Sequence, residues 1–177
     1  MIFLFATDDD IKKAQELYDK HQIIDRVLQD RTYGGKGFNN QVMGYIALRI
    51  LFKDFYFHEP PETLPAEEVS GSFDCILLKS PWLGIKAEIK CNGNYSNEHF
   101  LFNIKYGYEK AMTNDSKILI AMKQFDSHKY GLIGWIEITD KFSTFEIYNE
   151  ENENGRAFKI PFALFKPIEE IAKKKQP

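Results

Sequence analysis

The sequence predicts an α/β protein, in the form of a mixed α+β sheet with helices on its faces. Apolar residues recur at helical spacing in two separate stretches, and several shorter runs alternate apolar with polar residues, as strands do. Helical and strand-like stretches also follow one another in the order of a crossover unit. The length of 177 residues and the 44% hydrophobic content predict a single domain over residues 1–177 with one sizeable core.

The first predicted element is an N-terminal helical segment over residues 7–31. Thr7 is followed by three aspartates, which favour a helix N-terminus because their charge complements the helix dipole. Apolar residues then recur at helical spacing, namely Ile11, Ala14, Leu17 and Tyr18. The glycines of loop 33–37 end this segment.

The second predicted part is a core over residues 38–123. Its first helix is capped by Asn39 or Asn40 and runs to about Lys53, and residues 55–57 form a short strand. Residues 69–79 and 83–90 read as two antiparallel strands, because only a short turn separates them. A helix over residues 98–113 then leads to a strand over 117–123, which we expect to run parallel to an earlier strand.

The third predicted part is a β-rich C-terminal extension over residues 131–175. Residues 131–138, 142–148 and 156–160 have the character of strands. The apolar pattern after Pro161 indicates a closing helix that contains Phe162, Leu164, Phe165, Ile168 and Ile171.

Composition excludes several classes of protein. No apolar run has the length of roughly 20 residues that a membrane-spanning helix needs, and residues 1–10 lack a basic region of the kind that begins a secretory signal. We therefore expect a cytoplasmic protein, and the two cysteines, Cys75 and Cys91, form no disulfide framework.

The net charge is −3, but residues 79–129 carry eight lysines against five acidic residues. Phosphate binding depends on local positive potential and not on the overall charge, so this stretch favours a phosphate-bearing partner.

A candidate site lies on the two antiparallel strands. Residues 84–90 alternate, so Glu88 and Lys90 face one way and the apolar residues between them face the other. Asp74 interrupts the apolar strand before them, where an uncompensated carboxylate would be costly. We expect the hairpin to bring Asp74, Glu88 and Lys90 together. Carboxylate oxygens bind Mg²⁺ or Mn²⁺, which polarises a phosphate and acidifies a bound water, and a nearby lysine orients or deprotonates that water.

These residues resemble the D-Xn-(D/E)-x-K signature of the PD-(D/E)xK nuclease superfamily, which includes restriction endonucleases and junction resolvases. Asp74 is followed, after thirteen residues, by Glu88-Ile89-Lys90, and Gly71 lies shortly before the aspartate, as in many members. The resemblance implies a restriction-endonuclease-like core of order α-β-β-β-α-β. It also implies that Asp74, Glu88 and the main-chain carbonyl of Ile89 are metal ligands, and that Lys90 acts on the water.

The chain departs from the family pattern at two places, and the first of them concerns a second metal site. Many members have a glutamate in the first core helix, where this chain has Asn40 and Gln41, so we expect one metal ion and leave a second open. The residue before Asp74 is Phe73 instead of proline, a change that many members tolerate.

The candidate nucleic-acid contacts are Lys86, which shares the Glu88 face, Lys105 on the following helix and Trp82 in the hairpin turn, with Lys110 and His99 ranked lower.

The resulting hypothesis is a Mg²⁺-dependent DNA endonuclease, restriction-type, resolvase or phage-type, that acts on duplex or branched DNA and forms a homodimer if it cuts both strands. Two alternatives stay open on the same fold. One is a catalytically inactive module that binds nucleic acid or protein, and the other is an RNA endonuclease. The four histidines show no zinc-ligand spacing, and Gly34-Gly35-Lys36-Gly37 lacks the spacing of a phosphate-binding loop.

Overall fold

A mixed seven-stranded sheet forms the centre of the protein in the computed structural model, which describes residues 1–25, 40–58, 74–93, 97–149 and 155–175. Two helices cover one face of this sheet, and a three-stranded sheet with a short helical segment covers the other. The chain is therefore of the mixed α+β class, as the sequence predicts.

The helices and strands have the following bounds. The helices are α1 (Asp8–Asp25), α2 (Asn40–Asp54) and the single turn α3 (Lys110–Thr113), which continues a π-helical segment, Ile104–Glu109. The strands are β1 (Ile2–Phe5), β2 (Phe55–His58), β3 (Cys75–Leu77), β4 (Lys86–Asn92), β5 (His99–Asn103), β6 (Ile118–Gln124), β7 (Lys129–Glu137), β8 (Ile147–Tyr148), β9 (Ala157–Pro161) and β10 (Lys173–Lys174). Three 3₁₀ turns lie at Asp140–Thr144, Phe162–Leu164 and Ile168–Glu170.

The strand order in the main sheet is β1-β7-β6-β4-β3-β2-β10. All neighbouring strands are antiparallel except β4 and β6, which pair in parallel with Glu88 beside Leu119 and Lys90 beside Ala121. The connection from β4 to β6 is therefore the crossover that the sequence predicts, and α2, β2, β3 and β4 precede it in the expected order.

The first hydrophobic cluster lies between the main sheet and the helices α1 and α2. It contains Ile46, Ala47 and Leu51 of α2 and residues of β3, β4 and β6 that point toward them, including Leu77, Ala87, Ile118 and Ile120. None of the helices in the described ranges is both long and apolar enough to cross a bilayer.

The second cluster lies on the opposite face of the main sheet. Leu119 and Ala121 of β6 pack there against the strand order β5-β9-β8 and against Ala111 of α3. Phe100, Phe102, Phe142 and Phe158 are the main aromatic members of this cluster, and each is at most 5% exposed. Helices were predicted on the sheet faces, but most of this face is covered by strands.

Two helix predictions are wrong in whole or in part. The predicted helix 98–113 is helical over residues 104–113, as the π-helical segment and α3. Its first part is strand β5, because Phe100 and Phe102 both point into the second cluster and so follow a period of two. The predicted closing helix consists of two 3₁₀ turns and β10, because Phe162 and Phe165 pack on the second cluster whereas Ile168 and Ile171 belong to the first. One face of a helix cannot pack in both clusters, because they lie on opposite sides of the main sheet.

The other predicted elements agree with the structure more closely. The helix that ends near Lys53, the strand 55–57, and the strands 117–123, 131–138 and 156–160 are confirmed within a few residues. The predicted strand 142–148 is wrong over its first half, where a 3₁₀ turn occupies Asp140–Thr144, and β1 was not predicted. Residues 26–31 and 69–73 of the predicted elements, and the predicted loop 33–37, lie outside the described residues.

The buried carboxylate of Asp10 ties α1 to α2. It accepts hydrogen bonds from the backbone N–H of Thr7 at 2.9 Å and from the Thr7 hydroxyl at 2.8 Å, and Lys53 of α2 forms an ion pair with it. Burial opposes the charge of this fully buried group, but Lys53 and Thr7 outweigh it and lower the pKa of Asp10 to about 2. The charged form is therefore favoured by folding.

Asp10→Asn is expected to lower the free energy of unfolding by about 2 kcal/mol at neutral pH. Because the pKa in the folded state is depressed, this stability is complete above the ordinary value of 3.8 and is lost as the pH falls toward about 2. Urea denaturation at a series of pH values measures it, with Asp9→Asn as a control on the exposed side of the same helix. A difference between wild type and Asp10→Asn that does not shrink in acid would contradict the prediction.

Candidate active site

Three polar side chains meet where β3 pairs with β4. The register places Cys75 beside Ala87 and Ile76 beside Lys86, so Asp74, directly before β3, lies opposite Glu88. The backbone N–H of Asp74 donates to the carbonyl of Ala87 at 3.1 Å, which fixes this end of the ladder. Paired residues in adjacent strands share a face, so the hairpin brings the two carboxylates together.

Alternation along β4 separates the polar side chains from the core. Ala87 and Ile89 belong to the first hydrophobic cluster, whereas Glu88 and Lys90 project from the opposite face of the sheet. The apolar residues anchor the strand on one side, and the polar pair is presented on the other. This is the arrangement that the sequence predicts for these residues.

Lys90 bridges the two carboxylates. Its Nζ lies 2.7 Å from Oε2 of Glu88 and 3.1 Å from Oδ2 of Asp74. The backbone N–H of Ile89 donates to the same Oδ2 of Asp74 at 2.7 Å, and the hydroxyl of Ser116 donates to Oε1 of Glu88 at 3.1 Å. Both carboxylates are therefore oriented by the protein.

The members of this cluster differ in exposure. Glu88 is only 1% exposed, whereas the side chains of Lys90 and Asp74 are 30% and 25% exposed. Burial opposes the charge of Lys90, but the carboxylates of Asp74 and Glu88 outweigh it and hold the pKa of Lys90 above its ordinary value. The lysine is thus an ammonium at neutral pH, and the cluster opens toward solvent on the Asp74 and Lys90 side.

The cluster could supply two carboxylate ligands to a hard cation. Both carboxylates already lie within hydrogen-bonding distance of a single positive nitrogen, and within the described residues Oδ1 of Asp74 has no hydrogen-bond partner. Oxygen ligands of this kind suit Mg²⁺ or Mn²⁺. The described part of the chain holds no group of three His, Cys, Asp or Glu side chains that could bind a metal, so a further ligand would come from backbone, water or substrate.

Two other predicted ligands are only partly described. Ile89 meets the cluster through its backbone N–H, and the role of its carbonyl stays a prediction. Gln41 lies in the first turn of α2, but its side chain is outside the described residues. Asp74 and Glu88 are therefore the predicted ligands whose side chains the structure describes, and the number of metal ions stays a prediction.

The predicted nucleic-acid contacts lie outside the hydrogen-bond network of the cluster. Lys86 donates to the carbonyl of Asn114 at 3.3 Å, and Lys105 lies on the π-helical segment with its ammonium 5.6 Å from the ring centre of Tyr106. Trp82 packs edge-on against Trp135 with ring centres 4.9 Å apart, so this packing contact accounts for the position of the Trp82 ring. Their binding of nucleic acid stays a prediction, as does that of Lys110 in α3 and His99 in β5.

Ser116 was missed in the sequence. It is 1% exposed, lies just before β6 and reaches the neighbouring strand β4. A small polar residue immediately before a strand that runs parallel to the motif strand is the signal that could have identified it. Its hydroxyl makes it a positioning residue for Glu88.

No protein-family model, no curated protein and no solved structure matches this chain.

Proposed function

We propose that the protein is a metal-dependent phosphodiesterase, and specifically a Mg²⁺-dependent DNA endonuclease of the PD-(D/E)xK type. The observation that carries this proposal is the convergence of Asp74, Glu88 and Lys90 on one point of the sheet, with both carboxylates facing a single cationic group. Hydrolysis of a phosphodiester requires a hard cation and a nearby positive charge, and this cluster supplies ligands for the first and contains the second.

The fold supports the same proposal. The order α2, β2, β3 and β4, followed by a crossover with a helical part to the parallel strand β6, would correspond to the α-β-β-β-α-β core that the resemblance implies. Asp74 lies directly before the second of these core strands, and Glu88 and Lys90 lie on the third. Strand β5 and the π-helical segment are then an insertion before the crossover helix.

In this proposal each residue of the cluster has a separate task. Asp74 and Glu88 would hold Mg²⁺, together with the carbonyl of Ile89, and a bound Mg²⁺ supplies phosphate polarisation and a water of lowered pKa. The Lys90 ammonium screens the developing charge on the phosphate oxygens and orients the attacking water through a hydrogen bond. Ser116 holds Oε1 of the buried Glu88, which leaves Oε2 on the side of Lys90, where it would be available to a metal ion.

A second candidate is an inactive nucleic-acid-binding or protein-binding module. The specific observation behind it is that Lys90 already pairs with both carboxylates, as lysine does in purely structural ion-pair networks.

DNA is the proposed substrate because phosphodiester chemistry fits the cluster, but an RNA endonuclease would use the same residues. Homodimerisation belongs to the proposal for cleavage of both strands.

Cleavage assays test the proposal on supercoiled plasmid, a four-way junction, single-stranded DNA and RNA, each with Mg²⁺, Mn²⁺ or EDTA. We expect hydrolysis with either metal and none with EDTA, because the carboxylates supply no electrophile by themselves. Cleavage that persists in EDTA would overturn the metal-dependent proposal. Equal inactivity of wild type and Lys90→Ala on every substrate would leave the inactive binding module as the better account.

A further inference from the structure

We propose that one strand of the DNA substrate runs from the candidate active site across β3 and β2 to β10, where Lys173 contacts one of its phosphates. This surface, the β10 track, consists of Tyr56, Ile76, Leu78, Lys173 and Lys175. The inference rests on the proposed function and deepens it, because it assigns the path that the substrate takes over the main sheet.

Strand register places the β3 part of the track on the face of the main sheet that carries Glu88. Ile76 pairs with Lys86 of β4, which lies two residues before Glu88 and therefore shares its face. Asp74 and Leu78 lie two residues to either side of Ile76, so alternation puts both on that face as well. The candidate active site and the track are therefore neighbours on one surface.

The same surface continues across β2 and β10. Phe57 pairs with Leu77 and packs with it on the first cluster, so alternation sends Tyr56 to the other face. Lys173 of β10 pairs directly with Tyr56 and shares its face. The ammonium of Lys175 lies 5.3 Å from the ring centre of Tyr56, which places the second lysine on this side independently of the register.

The packing on this face of the sheet leaves the track accessible. The second cluster packs on β6 and β7, and among the described residues it includes none from β2, β3 or β10. Tyr56 is 51% exposed and Leu78 is 46% exposed, and neither belongs to the first cluster. The three-stranded sheet therefore covers the β6 and β7 half of the face and leaves Tyr56 and Leu78 in contact with solvent.

The lysines at the far end of the track favour an anionic occupant. Lys173 is exposed, and within the described ranges it forms neither a hydrogen bond nor an ion pair. Lys175 donates to the backbone carbonyl of Phe52 at 2.6 Å, which leaves its ammonium charge in place. Asp54 lies beside Lys175 in the ladder, but in the part of the chain that the structure describes no ion pair joins them. Uncompensated ammonium groups beside an exposed ring suit a strand that carries both phosphates and bases.

The length of the track corresponds to a short stretch of DNA. Asp74 and Leu78 are four residues apart along the chain, or about 13 Å, and β3 and β10 are two strand spacings apart, or about 10 Å. The straight distance from Asp74 to Lys173 is therefore roughly 16 Å. One strand of B-DNA rises about 3.4 Å per nucleotide, so Lys173 meets a phosphate about five nucleotides from the scissile one.

Fluorescence anisotropy with a labelled DNA duplex tests the track, in EDTA so that binding is measured without cleavage. Lys173→Ala is expected to bind at least about threefold more weakly at low salt, and the slope of log Kd against log salt concentration should fall by about one. Lys174→Ala is the matched control. Lys174 is the next residue and is also exposed, but it pairs with the buried Phe55 and so points away from the track. This control should bind like wild type with an unchanged salt slope.

A second measurement locates the contact along the strand. On a duplex that the wild type cleaves, a single methylphosphonate replaces one charged phosphate by a neutral one. At about five nucleotides to one side of the cut, this replacement is expected to weaken binding by the wild type. It should have no further effect on Lys173→Ala, because that variant has already lost the same contact.

Two outcomes would overturn the inference. The first is equal affinity and equal salt slope for Lys173→Ala and Lys174→Ala. The second is a loss of affinity for polyglutamate in Lys173→Ala that equals its loss for DNA, which would indicate an acidic protein partner. Failure of the proposed function gives a different result. Lys173-dependent binding without cleavage in Mg²⁺ rejects the nuclease and retains the track, whereas cleavage with Lys173-independent binding retains the nuclease and rejects the track.

Discussion

Replacing Glu88 with glutamine is expected to lower the metal-dependent cleavage rate by about 10³-fold or more, since the charge stabilisation from a bound metal is worth several kcal/mol. Glutamine keeps the size of the side chain and an oxygen that can accept from Ser116, but it removes the negative charge that attracts a divalent cation. Single-turnover cleavage with saturating protein measures the chemical step. Asp74→Asn is expected to behave alike, because Asp74 contacts the same Lys90 ammonium as Glu88 and would be the second carboxylate ligand.

The matched control for Glu88→Gln is Asp10→Asn. Asp10 is also a fully buried carboxylate that pairs with a lysine, but it lies between α1 and α2. The control should therefore lose stability and keep its cleavage rate per folded molecule. If Glu88→Gln and Asp10→Asn cleave equally well under conditions where both are folded, the cluster is structural and the assignment of a metal ligand is wrong.

Removing the ammonium of Lys90 is expected to lower the free energy of unfolding by about 3–5 kcal/mol, because Lys90→Ala leaves the charge of the buried Glu88 uncompensated. The substitution also removes the positive charge beside Asp74, since Oδ2 of Asp74 contacts the same Lys90 nitrogen. Chemical denaturation at neutral pH measures the effect. Mg²⁺ or Mn²⁺ should raise the melting temperature of Lys90→Ala more than that of wild type, because a divalent cation restores the missing positive charge.

Lys159→Ala is the control for this stability change. The side chain of Lys159 is 28% exposed, close to the 30% of Lys90, and it also pairs with a glutamate. Its partner Glu146 is 70% exposed, so water replaces the lost ion pair and the expected cost is only about 0–1 kcal/mol. Equal destabilisation by the two substitutions, or no difference in their response to Mg²⁺, would contradict the prediction.

The polar cluster could be predicted from the sequence because two local rules determine it. Alternation assigns Glu88 and Lys90 to one face of β4, and a short turn before β4 forces the preceding strand, with Asp74, to pair beside it. The helix α2 and the strands β6, β7 and β9 were likewise identified by local periodicity. The order of these elements then led to the parallel pairing of β4 with β6.

Features that depend on distant residues could not be predicted in this way. Phe100 and Phe102 follow a strand period, but their partners lie on β9, which comes more than fifty positions later in the chain. The hydrogen bond from Ser116 to Glu88 spans 28 positions and exists only because the crossover ends beside β4. Phe165 and Ile168 look like one helical face, yet they pack in different clusters because the chain passes from one side of the sheet to the other.

The bridge that Lys90 makes between the two carboxylates has a consequence for how a cation would enter. The cluster carries its own tethered counter-ion, so its two negative charges are largely compensated within the chain and leave a net charge of only −1. A divalent cation must therefore exchange with an ammonium that stays attached nearby at high effective concentration. Binding at such a site is a competition, and the displaced ammonium remains within reach of whatever anion the cation brings with it.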